Sequence, residues 1–142
     1  MNALKVYEKV ASDYQHLDFE LDNDSTNEKT IFTANITCDE YDDEIYVKVI
    51  VYNSGSIHVF FTFDKIEVSL KTLLMINTFN DETSWLKAYI TEINNNNYLE
   101  LHMAFPNSTN DDEASSNISF ALENLLNESV INLLRPITNL TY

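Results

Sequence analysis

The chain has 142 residues, 8 of them basic and 23 acidic, for a formal charge of -15, and it contains one glycine, two prolines and one cysteine. This length suits one domain spanning 1–142 with a core that needs no metal or disulfide staple, and the lone Cys38 excludes an intrachain disulfide. No Lys/Arg cluster offers a phosphate-contact surface, so no direct nucleic-acid binding is expected. With no basic-then-apolar start and no run near eighteen apolar residues, the expectation is a soluble, cytoplasmic protein with no membrane contact.

Asn2 to Tyr14 places Leu4, Tyr7, Ala11 and Tyr14, with Val10 beside them, at helical spacing, and Asn2 can cap the helix. Leu17, Phe19 and Leu21 then alternate with Asp18, Glu20 and Asp22, which predicts a half-solvated edge strand. Asp22 to Glu28 reads as a polar turn, and Lys29 to Cys38 as the next strand. After the acidic turn Asp39–Glu44, the stretch Glu44–Asp64 forms the clearest pattern in the chain. Ile45, Val47, Val49 and Val51 alternate with Tyr46, Lys48, Ile50 and Tyr52; Ile57, Val59, Phe61 and Phe63 alternate with His58, Phe60 and Thr62. The single glycine, Gly55, lies in the connection, where a positive φ costs least. This predicts a hairpin at the middle of an antiparallel sheet.

Asp64 and Glu67 have capping-box spacing, which predicts a helix over Ile66 to Thr78 packed across the sheet through Ile66, Leu70, Leu73, Leu74 and Asn77, with Met75, Ile76 and Phe79 widening that face. Trp85 to Thr91 and Tyr98 to Phe105 alternate with a period of two and predict a second hairpin across the asparagine run Asn94–Asn97. Pro106 to Ser116 reads as a polar, mobile loop, and a last helix is expected from a cap at Ser116 or Asn117, ended or kinked around Arg135 by Pro136. Ile118, Leu122, Leu125, Val130, Leu133, Ile137 and Leu140 recur along it, with Ala121, Leu126 and Leu134 beside them. The order α-β-β-β-β-α-β-β-α, with consecutive strands and no crossover helices in the first half, is that of an α+β fold with an antiparallel sheet.

That order resembles the YbjN-like proteins and, more distantly, the type III secretion chaperone-like fold. The residues that carry the likeness are LLMINTFND at Leu73–Asp81, the pair WLKAYITEI and YLELHMAF, and a final helix ending in LLRPITNL; Asn77 and Asn80 look like the asparagine-bearing end of the central helix in such proteins. The likeness to the secretion chaperones implies a small, acidic, usually dimeric protein that holds an extended segment of another protein without chemistry, and the likeness to the YbjN-like branch implies a regulatory or chaperone-like role with no established enzyme site. Neither carries over a binding residue, because the match is mainly hydrophobic spacing.

The residues themselves point the same way about chemistry. His16, His58 and His102 are scattered and form no metal-ligand spacing; His58 and His102 read as packed strand histidines and His16 as a loop residue. Cys38, in line with Ile36, reads as a small buried thiol rather than a nucleophile. Asp22–Glu28 lacks the glycine and register of a calcium loop, and Asp39, Asp42, Asp43 and Glu44 read as a solvated turn rather than a cation site. Asp111–Glu113 reads likewise, unless it sets the field at the start of the last helix. One glycine cannot build a phosphate-cradling loop. The expectation is therefore no enzyme, no cofactor and no metal.

Trp85, Tyr89, Tyr98 and Phe105 concentrate aromatic surface on the second hairpin and are the candidate protein-binding residues, set against the plainer reading that they pack under the helices. The expected function is a protein-binding or chaperone-like adaptor, with a basic amphipathic partner or a homodimer. An inhibitor that mimics DNA with a face of carboxylates, or a domain with an unrecognised enzyme site, are the alternatives.

Overall fold

The computed structural model describes residues 1–38, 43–83, 85–125 and 128–138. Its elements are α1 (Ala3–Asp13), a 3-10 turn (Gln15–Leu17), β1 (Glu20–Leu21), β2 (Lys29–Cys38), β3 (Asp43–Tyr52), β4 (Ile57–Lys65), α2 (Leu70–Glu82), β5 (Lys87–Ile93), β6 (Asn96–Phe105), α3 (Asp111–Leu125) and α4 (Glu128–Thr138). The strands form one antiparallel sheet in the order β1-β2-β3-β4-β6-β5. This is the expected α+β architecture, with the last helical stretch divided into α3 and α4.

The central hairpin lies where its alternation puts it. Val49 pairs with Val59 and Val47 with Phe61, and across β6 these meet Met103 and Leu101. All of them are fully or almost fully buried, and Phe32 and Ala34 extend the same face on β2. Burying such side chains contributes about 1.5–3 kcal/mol each relative to exposure, so this row is the main source of the sheet's stability. Val6 and Val10 of α1 share the core with Ile118 and Leu122 of α3 and Leu134 and Ile137 of α4. The helices thus gather on one face of the sheet. Tyr46, Lys48, Ile50, Tyr52, His58, Phe60, Glu100 and His102 occupy the other, where all are at least partly exposed. Gly55, at φ 108, also allows a close approach: the Ser108 carbonyl sits where a Cβ would project, and Ser108 N–H donates to the Gly55 carbonyl at 3.0 Å.

Several expected boundaries move. The strand expected over Leu17–Leu21 reduces to Glu20–Leu21, because Gln15–Leu17 turns and Asp18 takes a left-handed conformation at φ 54. The helix after the central hairpin does not start at Asp64: β4 continues to Lys65, and Ser69 caps α2 by accepting from Thr72 N–H at 3.1 Å. Nor does α2 cross the hairpin. It packs against β5 and α4, burying Thr72, Ile76 and Phe79. Of the expected inward face, Ile66 and the widening residues Ile76 and Phe79 are buried, while its central leucines lie in solvent, with Leu70 74%, Leu74 56% and Leu73 43% exposed.

The reason lies at the helix end. Asn80 donates to the Ala88 carbonyl at 2.8 Å and accepts from Ala88 N–H at 2.7 Å, while Thr83 Oγ donates to the Leu86 carbonyl at 2.6 Å. These bonds fix the rotation of a helix that is apolar on both sides. They also supply backbone partners along the start of β5, an outer strand.

The segment expected as a loop up to Ser116 is already helical from Asp111. Asn110 accepts from Glu113 N–H at 2.9 Å, and Glu113 accepts from Thr109 N–H at 3.1 Å. Asp111, Asp112 and Glu113 form the first turn, where negative charge complements the helix dipole. Pro136 lies inside α4, which continues through it to Thr138, so of the two outcomes expected around Arg135, an end or a kink, the end does not occur. The side chain of Cys38 lies outside the described part of the structure, as do Asp39, Asp42, Leu126 and Leu140 and the Asp64 and Asp43 side chains.

Candidate functional site

Two surfaces stand apart from an ordinary solvated exterior. The first is the open face of the sheet. Strand register aligns Thr33, Lys48, Phe60, His102 and Lys87 in one row and Asn35, Tyr46, Thr62, Glu100 and Tyr89 in the next. His58 and His102, on β4 and β6, are hydrogen-bonded edge to edge, Nδ1 to Nε2 at 2.9 Å, with their rings 14° from parallel. One of the two facing nitrogens carries the proton and the other accepts it. The remaining His58 nitrogen meets Ser56 Oγ at 3.3 Å, Tyr52 stands edge-on to the His58 ring, and Phe60 stacks on His102 at 4.5 Å and 5°.

Electrostatics on this face run toward neutral forms. Burial, and then His58, hold His102 below the usual histidine range. Burial raises the Glu100 pKa, with Lys48 and the Tyr89 hydroxyl pulling it back. Burial first, and then the neighbouring Glu100 charge, push the Tyr89 hydroxyl up to about 12. Each shift follows from half-removing a polar group from water.

The second surface is the outer stripe of α2. Leu70, Leu73, Leu74 and Asn77 follow one another at spacings of three and four, all exposed, and Val68 precedes them at 50% exposure. From Thr72 to Asn80 the helix has no charged residue; Lys71 precedes that run and Asp81 and Glu82 follow it. A shallow polar depression lined by Glu67, Val68 and Asn95–Asn97 lies beside its start. Isolated exposed leucines are unremarkable, but a row of them on one helix is the pattern of a contact surface.

The four aromatic residues expected to bind together divide into two groups. Tyr89 and Tyr98 lie on the open sheet face. Trp85 and Phe105 instead meet Phe120 of α3, at ring-centroid distances of 5.8 and 6.4 Å, at the other end of the second hairpin from its turn. The pairing of His58 with His102 was not foreseen, although both residues fall on the alternating outward positions of their strands. What was missing was that β4 and β6 are neighbours. Among the described residues no three of His, Cys, Asp and Glu converge as a metal centre would require, and no helix is long and apolar enough to cross a membrane.

No family model and no curated protein matches this chain. Among solved structures it is similar to the crystal structure of YbjN from E. coli, a candidate transcription regulator, with a TM-score of 0.61 and 11% identity over 94% of this chain and 91% of that one. The likeness is one of fold alone, over nearly the whole of both chains, and agrees with the α+β architecture read from the sequence.

Proposed function

We propose that this protein is a small acidic binding module, chaperone-like and without catalysis of its own, that holds a segment of a partner protein on the outer stripe of α2. The observation that carries this reading is the row Leu70, Leu73 and Leu74, left in solvent with the preceding Val68, on a helix whose opposite side buries Thr72, Ile76 and Phe79. A partner segment with apolar residues at matching spacing would remove this surface from water. Glu67, Asp81 and Glu82 at the two ends of the stripe favour basic residues flanking that segment. The YbjN-like arrangement supports the same reading by analogy of fold alone.

The test compares tagged wild-type protein with the double variant Leu70→Asp/Leu74→Asp in capture from a native extract, followed by mass spectrometry. A partner enriched by the wild type and lost by the double variant, which should retain its far-UV circular dichroism, is the expected result. Retention of the same partner by the variant, or no enrichment over an untagged control, would remove the basis for this function.

A further inference from the structure

We propose that the segment held on the outer stripe of α2 is an amphipathic α-helix of the partner protein, lying antiparallel to α2; this rests on the reading of that stripe as a partner site. Leu70, Leu74, Asn77 and Asp81 recur at spacings of four, three and four, and all are exposed. On an α-helix they form one line, with Leu73 beside it, while Thr72, Ile76 and Phe79 are docked on the other side. From Leu70 to Asp81 the line runs roughly 16 Å, or about three turns. A partner helix of similar length covers all of it, with its side chains seated between those of α2.

The backbone decides between a helix and an extended chain. When an extended segment leaves water, its N–H and C=O groups need partners, and a strand edge is the surface that provides them. The α2 stripe provides almost none. Its backbone groups are used within the helix, and the Thr78 hydroxyl beside the line already donates to the Leu74 carbonyl at 3.1 Å. The Asn77 amide is what remains on the line. A helix satisfies its own backbone and brings only side chains to the contact. Asn77 then interrupts the leucine row as a polar residue does where it fixes register between paired helices, and it selects a partner with a polar residue opposite.

Charge sets the direction. At the far end of the stripe Asp81 continues the line and Glu82 adjoins it, while Lys87 is held there by the Asn80 and Thr83 carbonyls. At the near end lie Lys65, Glu67 and Lys71, with Asn95 and Asn97 in the depression beside them. A helix presents unpaired N–H groups and partial positive charge at its N-terminus, and unpaired carbonyls at its C-terminus. The antiparallel arrangement puts the partner's N–H groups over Asp81 and Glu82 and its carbonyls toward the lysines and asparagine amides. Glu67 then meets a basic residue in the partner's last turn, which the partner's own dipole also favours.

Titration of the isotope-labelled full chain with three designed fluorescent peptides tests this. The first has leucines at spacings of three and four around one asparagine and a basic residue at each end; the second adds a central proline; the third reorders the same residues so that leucines alternate with polar ones. The expected result is saturable binding of the first, weakened about tenfold or more by the proline, by the reordering, and by Leu74→Asp in a chain that keeps its circular dichroism. A nitroxide on the N-terminus of the first peptide should broaden the amide signals of Asp81 and Glu82, and one on its C-terminus those of Leu70 and Lys71. Tighter binding of the alternating peptide, lost in Leu74→Asp, would overturn the helical partner and leave the stripe as a partner site. The opposite pattern of broadening would overturn the antiparallel arrangement. Binding indifferent to Leu74→Asp would tell against the stripe itself, and no saturable binding of any peptide would overturn the proposal. So would a species of roughly twice the 16.4 kDa chain mass in light scattering that Leu74→Asp abolishes, since it would assign the stripe to a second copy.

Discussion

Helices α1 and α2 are similar in length and begin in the same way. Asn2 caps α1 by accepting from Lys5 N–H, and Ser69 caps α2 by accepting from Thr72 N–H. They differ in what surrounds the inward stripe. In α1, Ala3, Val6 and Val10 are buried, and Lys5, Glu8 and Lys9 lie outside with one large apolar residue, Leu4, among them, so the charged side is marked. In α2, Ile76 and Phe79 are buried while Leu70, Leu73 and Leu74 lie outside. Periodicity tells which residues share a side; it cannot tell which side docks when both are apolar. In α2 that choice is made by a polar residue, Asn80, whose amide bonds both backbone groups of Ala88.

Four measurements would break or sharpen this contrast. The largest effect is expected from Val6→Asp, which places an unpaired carboxylate at a position with 0% exposure on α1. A loss of about 4 kcal/mol or more in urea denaturation is expected. Phe79→Ala should cost about 3–4 kcal/mol, since the ring is 1% exposed on the docked side of α2. If it costs less than Leu70→Asp, the assignment of the two sides is reversed. Asn80→Ala should cost about 1–2 kcal/mol, a moderate figure because water can reach part of the strand edge that it uncovers. Leu70→Asp should stay within about 0.5 kcal/mol of wild type, the smallest change of the set, despite placing a charge on a leucine position.

The two faces of the sheet repeat the contrast between a dry side and an unfinished one, and pH gives access to it. His102 is depressed from 6.5, so its neutral form supports the fold fully above that value. As the pH falls below 6.5 the unfolded chain takes up the proton first, and stability declines until His102 itself is protonated. His58 on β4, Lys48 on β3 and Lys87 on β5 face or flank this ring, and Glu100 lies two residues away on β6. Glu100, raised from 4.5, acts in the opposite sense, because folding then favours its protonated form. Denaturation midpoints of Glu100→Gln between pH 7 and 5 therefore isolate the histidine effect, which His102→Phe should flatten.

Much of the fold was legible because strand alternation in this chain has a single meaning. Val47, Val49, Val59 and Phe61 had to share a side, and they form the centre of the core. The start of α3 was obscure for the converse reason. Asp111, Asp112 and Glu113 read as loop by polarity, yet acidic residues after an asparagine cap are also what a helix dipole favours in its first turn. The second hairpin was legible but the grouping of its aromatics was not, since Trp85 and Phe105 turn toward Phe120, a residue of a different element. The His58–His102 bond depends on β6 passing β5 to pair with β4, a choice of neighbour made by the whole sheet. No local pattern records it.

The Asn80 contact also has a consequence for how the chain can fail. The side-chain amide sits on Ala88 as an adjoining strand would, one donor and one acceptor in register with the peptide group it meets. The guard on the sheet's margin is therefore only as lasting as the last turn of α2. Any opening that lifts that turn bares ladder positions and the docked side of Phe79 together, making a sticky species from a single local event. Aggregation rate under mild denaturant should consequently track the stability of α2 more closely than that of the whole molecule, and should rise in Asn80→Ala ahead of global unfolding.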